Sequence, residues 1–286
     1  MLTKDDVLES YRALLKKTYP GQSKWFESRL TRDGHRPGCE AEAIVFCSIL
    51  VPNHLNPEPL MDTQSGGPDF RCDPAGKQSF VVDVTLWSTP PKRTLQQVPG
   101  TAIEVGSLAM PTSKIFRSAT GKAAQMANQG CPGVLVICST DEWDHRYCSA
   151  GALEQAIFSD PKITIPLGST EGSDCYLSSD LEKAPFFGLE RASDGAPHLD
   201  PKRKTVSAIL LVDMSGNAAK VIGALHPDPN YPFDTGNLSQ VPFLHVDPWP
   251  PKSAALSGCW KIGDLAWTQP ERPQPVTFNL VVCRPD

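Results

Sequence analysis

Residues 67–88 read GPDFRCDPAGKQSFVVDVTLWS, two short strands around a tight turn. The first strand lies around Asp69-Phe70-Arg71-Cys72 and runs into Asp73-Pro74-Ala75-Gly76-Lys77, which is dense in turn formers. The second, Ser79 to Trp87, is rich in Val, Phe and Thr, the composition of a buried strand, yet it carries Asp83 at its middle. A turn centred on Ala75 makes paired positions sum to about 150, which sets Asp69 opposite Val81 and Asp83 diagonal to Asp69 on the same face, about 7–8 Å away. Two carboxylates at that spacing suit one hard divalent cation, completed by water and substrate phosphate. Thr85 follows on that face by the period of two, while Val82 and Val84 point to the other side. A register slip of one residue would separate the two acids.

Outward from this hairpin, Glu40 to Leu50 (EAEAIVFCSIL) is apolar from Ala43 onward and predicts a buried helix. At about 100° per residue, Glu42 falls on the side of Val45, Phe46 and Ile49, whereas Glu40 points away. Two readings stand for Glu42: a first-turn acid favoured by the helix dipole, or an inward acid that approaches the same metal. On the far side, Thr112 to Gln129 predicts a helix stopped by Gly130. Its apolar stripe is Ile115, Ala119, Ala123 and Met126, and Lys122 lies inside that stripe with Gln125 at its edge. Lys122 either snorkels to solvent or points into the fold, where only a nearby negative charge makes burial tolerable.

The remaining chain supplies context. Residues 3 to about 18 predict an amphipathic helix capped by Thr3 and ended by Pro20-Gly21, with a second short helix from Ser23 to Leu30 and a polar loop from Thr31 to Gly38. Further strands are expected at Glu58 to Met61 and at the apolar run Gly133 to Cys138, and a short helix at Ala150 to Phe158. A long loop spans Ser88 to Pro111. The last third leans to β structure: a hairpin of Thr205 to Asp213 with Ala219 to Leu225, a proline-rich loop from Pro227 to Pro251, and a strand from Val276 to Cys283. Three segments result: 1–37, helical; 38–160, an α/β core; and 161–286, a β-rich extension packed on that core.

Composition bounds function. The chain has 286 residues, 40% of them hydrophobic, and no run reaches the roughly 18 apolar residues of a membrane span. A net charge of −5 does not advertise non-specific nucleic-acid binding. The basic clusters Lys16-Lys17, Lys92-Arg93, Lys114 with Arg117, and Lys202-Arg203-Lys204 read as solvated surface before phosphate tracks. Nine cysteines without a CxxC, with Cys47, Cys138 and Cys283 in apolar runs, read as reduced core thiols and imply a cytoplasmic location. His226 and His245 read as structural. No GxSxG, Walker A or GxGxxG motif is present.

An inward helical Glu, then Pro-Asp, then Asp-x-Thr at a strand centre, then Lys-x-x-Gln on a helix resembles the PD-(D/E)XK phosphodiesterase superfamily, over about residues 38 to 158. The resemblance implies a restriction-endonuclease-like mixed sheet flanked by helices. It implies Asp69 and Asp83 as holders of Mg2+ or Mn2+ with Glu42 assisting, and a metal-dependent nuclease acting on nucleic acid, DNA foremost, in defence or repair. The family lysine, expected two residues after the second acid, is replaced here by Thr85. Lys122 is the candidate substitute, Gln125 matches a helix glutamine of the family, and Thr85 with Gln125 would position water or phosphate oxygens. The alternative implied by Thr85 is an inactive nuclease-like domain that binds nucleic acid or a partner protein. The sequence leaves a homodimer open.

Overall fold

A computed structural model gives the fold; it describes all residues except 62–65, 88–108, 141–147, 159–160, 165–175, 180–183, 192–196, 251–255 and 284–286. Residues 88–108 of the expected loop, with the Lys92-Arg93 cluster, therefore lie outside the described residues, while 109–111 are not loop but open the helix that follows. Three N-terminal helices open the chain: α1 (Lys4–Thr18), α2 (Pro20–Leu30) and α3 (Arg36–Ile44). Thr3 caps α1 as expected, exchanging bonds with Asp6 in a capping box. Pro20 does not merely end α1. It starts α2, where its missing N–H is one of the donors a first turn leaves unpaired anyway. Helix α3 begins at Arg36, so the last three residues of the expected polar loop, 36–38, are helical. It then widens into a π-helical segment, Val45–Leu50, in which every residue is buried.

One large mixed sheet carries the fold. Its strands are β1 (Pro57–Pro59), β2 (Phe70–Cys72), β3 (Phe80–Trp87), β4 (Gly133–Ser139), β9 (Val206–Asp213), β10 (Ala218–Leu225), β11 (Pro242–Val246), β12 (Gly258–Ile262), β13 (Leu265–Ala266) and β14 (Val276–Asn279). Two separate hairpins, β5 (Pro161–Thr164) with β6 (Tyr176–Ser179) and β7 (Phe187–Arg191) with β8 (Pro197–Pro201), lie between β4 and β9 in sequence. The sheet order is β1-β2-β3-β4-β9-β10-β11-β12-β13, with β14 also on β10. Strands β3, β4 and β9 run parallel and are buried on both faces, which explains their nearly unbroken apolar sequence. The sheet thus continues from the segment before residue 160 into the one after it.

Alternation sorts the two cores. Val82, Val84, Val134 and Val136 pack with α1, α3 and the π-helical residues, while Leu135, Ile137, Ile209 and Leu211 face α4 (Ala109–Met126) and α5 (Ala150–Phe158). The hairpin β9–β10 pairs antiparallel as expected. Within the stretch read as a proline-rich loop, Pro242–Val246 instead forms β11, parallel to β10. Its buried Phe243 and Leu244 account for the difference. Among the described residues no helix is long and apolar enough to cross a membrane.

The cysteine reading needs one correction. Cys47 and Cys283 form a disulfide across 236 residues, whereas Cys39, Cys72, Cys131, Cys138, Cys148 and Cys259 are free. Both partners sit in apolar surroundings, as their sequence context suggested. What the local runs could not show is that the fold brings them to 5.4 Å between α-carbons, inside the range a bridge requires.

Candidate active site

Strand β2 pairs with β3 through Phe70↔Val82, Arg71↔Val81 and Cys72↔Phe80. The paired positions sum to 152, not 150, a slip of two that keeps every side chain on its expected face. Continued one step, this register would bring Asp69 across from Asp83, closer than the diagonal predicted. The ladder breaks there: the Asp69 N–H donates to Val82 O at 2.9 Å, and the Asp69 carboxylate accepts from the Val84 N–H at 2.7 Å. Asp69 thus closes the edge of β3 where β2 stops.

Asp83 is fully buried on the α4 side of the sheet, and Lys122 Nζ lies 2.9 Å from its carboxylate. The lysine side chain keeps 27% of its surface exposed. It points inward, and the charge that makes this tolerable is Asp83. Gln125, one turn further on, packs against the bare α-carbon of Gly66: a Cβ there would meet the amide nitrogen at 2.4 Å. Gly66 sits at φ +78°, a conformation glycine adopts without penalty. The amide oxygen of Gln125 is buried with no hydrogen-bond partner among the described residues.

Glu42 is buried from the opposite direction, on α3. Both of its oxygens are held by Arg29 of α2, one of them at 3.0 Å, and the Arg29 guanidinium lies over the Trp25 ring at 4.3 Å. The two partners pull opposite ways. Glu42 stabilises the Arg29 cation, yet burial first, and then the Asp69 charge, push the Glu42 carboxyl up to about 8. A guanidinium keeps its proton throughout this range, so Glu42 is the member of the pair that titrates. The same burial and the same two acids raise the Tyr11 phenol well above its usual value.

These groups border one cleft of about 290 Å³. Helix α2 contributes Trp25 and Arg29, the turn after it Arg32 and His35, and α3 Glu42; the approach to β2 contributes Gly66, Gly67 and Asp69. Val84 forms part of the floor, and Lys122 and Gln125 close the far side. Four of the six residues singled out in the sequence, Glu42, Asp69, Lys122 and Gln125, thus border one cleft. Thr85 is half-buried, level with Ile137 of β4, and does not border the cleft. Asp83 reaches the cleft only through Lys122. The Trp25–Arg29–Arg32–His35 wall was missed in the sequence, although Trp25 and Arg29 stand one helical turn apart and a buried Glu42 demands a cationic partner.

Among the described residues no cluster of three or more His, Cys, Asp or Glu side chains stands close enough to share a metal ion. Asp69 has one oxygen committed to a backbone N–H, Asp83 is buried behind the cleft wall and paired with Lys122, and the Gln125 oxygen is an acceptor without a donor. A hard cation is held by one or two carboxylates with water and phosphate completing its shell; the cleft itself presents the carboxyls of Asp69 and Glu42, the latter held by Arg29, with Asp83 behind Lys122. The other candidates have structural roles. His226 is buried, bonds Lys202 O at 2.7 Å and accepts from the Asp228 N–H, and burial lowers its pKa to about 4. Lys202 pairs with Asp200 and Glu190, Lys204 with Asp228, and Arg203 lies over Phe116, so this cluster is already satisfied.

Glu42 makes stability depend on pH. Its folded pKa lies above the ordinary 4.5, so the folded chain keeps a proton where the unfolded chain has lost it. Stability is therefore fully present below about pH 4.5 and declines toward pH 8, by an amount on the order of a few kcal/mol. Melting temperatures across that window should fall for the wild type and fall less for Glu42→Gln. Parallel pH profiles for the two proteins would remove Glu42 as the cause.

The fold and site together define an α/β protein with a cleft of mixed charge at the edge of a large mixed sheet. No family model matches this chain, nor does any curated protein or solved structure.

Proposed function

We propose that this chain is a divalent-metal-dependent phosphodiesterase that cleaves nucleic acid, with DNA as its substrate, built on a divergent restriction-endonuclease-like core. The observation that carries the reading is convergence: Glu42, Asp69, Lys122 and Gln125, from three separate segments, border one cleft, and Lys122 reaches on to Asp83. Asp69 and Asp83 would hold Mg2+ or Mn2+, with Glu42 behind them anchored by Arg29. A bound divalent ion supplies a polarised phosphate and a water of lowered pKa. Lys122 holds its ammonium where charge develops on the phosphate and is placed to orient the attacking water. Gln125 offers its free acceptor to that water, and Asp69 keeps the β3 edge rigid through Val84. Six free thiols among the described residues favour the cytoplasm as the location.

The burial of Asp83 behind Lys122 favours one second reading, a non-catalytic domain that binds nucleic acid or a partner protein. Cleavage of supercoiled plasmid in Mg2+ or Mn2+, abolished by EDTA and reduced at least about a hundredfold in Asp69→Asn, is the expected result. Intact plasmid under every divalent ion tried, with no metal binding by calorimetry, would hand the case to the second reading.

A further inference from the structure

We infer that the cleft wall built by α2 and the turn after it seats one unpaired nucleotide of a single strand, with Trp25 taking the base and Arg32 with His35 taking the adjoining phosphate. The placement of this seat beside the scissile phosphate rests on the nuclease reading; the binding itself does not.

Three observations carry it. First, Trp25 is half-buried and pre-held. Arg29 covers one face of its ring and is itself clamped on both Glu42 oxygens, so little freedom is lost when a base stacks on what remains exposed in the cleft. Second, the basic side chains of this wall are divided. Arg29 is spent on Glu42, whereas the exposed Arg32 and His35 border the cleft with side chains engaged in no ion pair or hydrogen bond among the described residues. Their backbones are fixed by successive turn bonds, His35 N–H to Arg32 O at 3.2 Å and Arg32 N–H to Arg29 O at 3.0 Å. Third, a cleft of about 290 Å³ lies at the lower end of small-ligand cavities, which suits one nucleotide unit.

The same features select against duplex. A base inside a stacked helix presents no face to a tryptophan, while an unpaired base does, whatever its identity. With a net charge of −5 and its largest basic cluster paired internally, the chain presents no long cationic track for a duplex backbone among the described residues. Affinity has to come from stacking plus a few local charges. The substrate class is therefore single-stranded nucleic acid, or the frayed or flapped end of a duplex.

Fluorescence anisotropy with a short labelled oligothymidylate, oligouridylate and a matched duplex, all in EDTA so that nothing is cleaved, tests this. The single strands should bind more tightly than the duplex. Trp25→Ala should weaken single-strand binding about tenfold or more and Trp25→Phe by less. Arg32→Ala should weaken it and flatten the log–log salt dependence by about 0.7, the slope that one neutralised phosphate contributes on a single strand. Unchanged single-strand affinity in both Trp25→Ala and Arg32→Ala, with native melting curves, overturns the seat. Cleavage of the labelled single strand in Mg2+ or Mn2+ with an unaltered KM in those variants overturns the seat and leaves the nuclease standing. Loss of single-strand binding in a protein that never cleaves keeps the seat and removes the nuclease.

Discussion

Replacing Lys122 by methionine is expected to lower the melting temperature by about 6–15 °C, because it strands a carboxylate that has no surface exposed to water. Breaking a buried ion pair from one side costs about 3–5 kcal/mol, most of it the penalty of the charge left behind. The reverse change is milder. In Asp83→Asn the remaining Lys122, already 27% exposed, swings its ammonium toward the cleft. The double variant Asp83→Asn with Lys122→Met carries no buried charge and should recover most of the stability that Lys122→Met alone removes, a coupling that a double-mutant cycle measures directly. Activity behaves differently: all three variants should lose cleavage at least about a hundredfold, since the reaction needs both charges. Recovery of folding without recovery of cleavage separates a catalytic pair from a structural one. A Lys122→Met protein that melts like the wild type would mean that Asp83 does not depend on Lys122.

This pair also shows how far the sequence reaches. Lys122 inside an apolar stripe, and Asp83 inside an apolar strand, are each a charge where local patterning demands none, and each implies the other. Period-two alternation likewise assigned Asp69 and Asp83 to one face of the hairpin, an assignment that the observed shift of two in register leaves unchanged. Asp73 to Lys77 contains several residues able to occupy a tight turn, so local chemistry does not choose among them. A slip of two costs nothing in patterning, and only the packing of Phe70 and Phe80 against the core settles it. The cleft's outer wall was harder to see. Trp25 and Arg29 lie on a helix with little apolar periodicity, and their partner Glu42 is on another helix. Far beyond any local window are the β4–β9 pairing, which carries the sheet past residue 160, and Cys47 with Cys283. No feature within a window of ten or twenty residues announces either.

Reduction of the Cys47–Cys283 bridge is expected to lower the melting temperature by about 5–15 °C while leaving the native fold in place. A bridge spanning 236 residues removes a great deal of freedom from the unfolded chain, roughly 5 kcal/mol in the chain-entropy picture and about 2–5 kcal/mol as such bridges are usually measured. The native contacts around it do not depend on the sulfur bond. The Val281 N–H donates to Ser48 Oγ at 3.0 Å, and the Cys283 N–H donates to Ser10 Oγ at 3.1 Å, so the C-terminal segment stays tied to α1 and the π-helical turn. Cys283→Ser should therefore match the reduced wild type in melting temperature and in near-ultraviolet dichroism, and adding reductant to it should change nothing further. Alkylation and mass spectrometry of the purified chain should count one bridge between these two cysteines. Protein isolated with both thiols free, and a melting temperature indifferent to reductant, would return Cys47 and Cys283 to the reduced core residues their apolar surroundings imply. An oxidised pair in protein taken directly from cells would instead require a compartment, or an oxidant, that thiol-rich cytoplasm does not ordinarily supply.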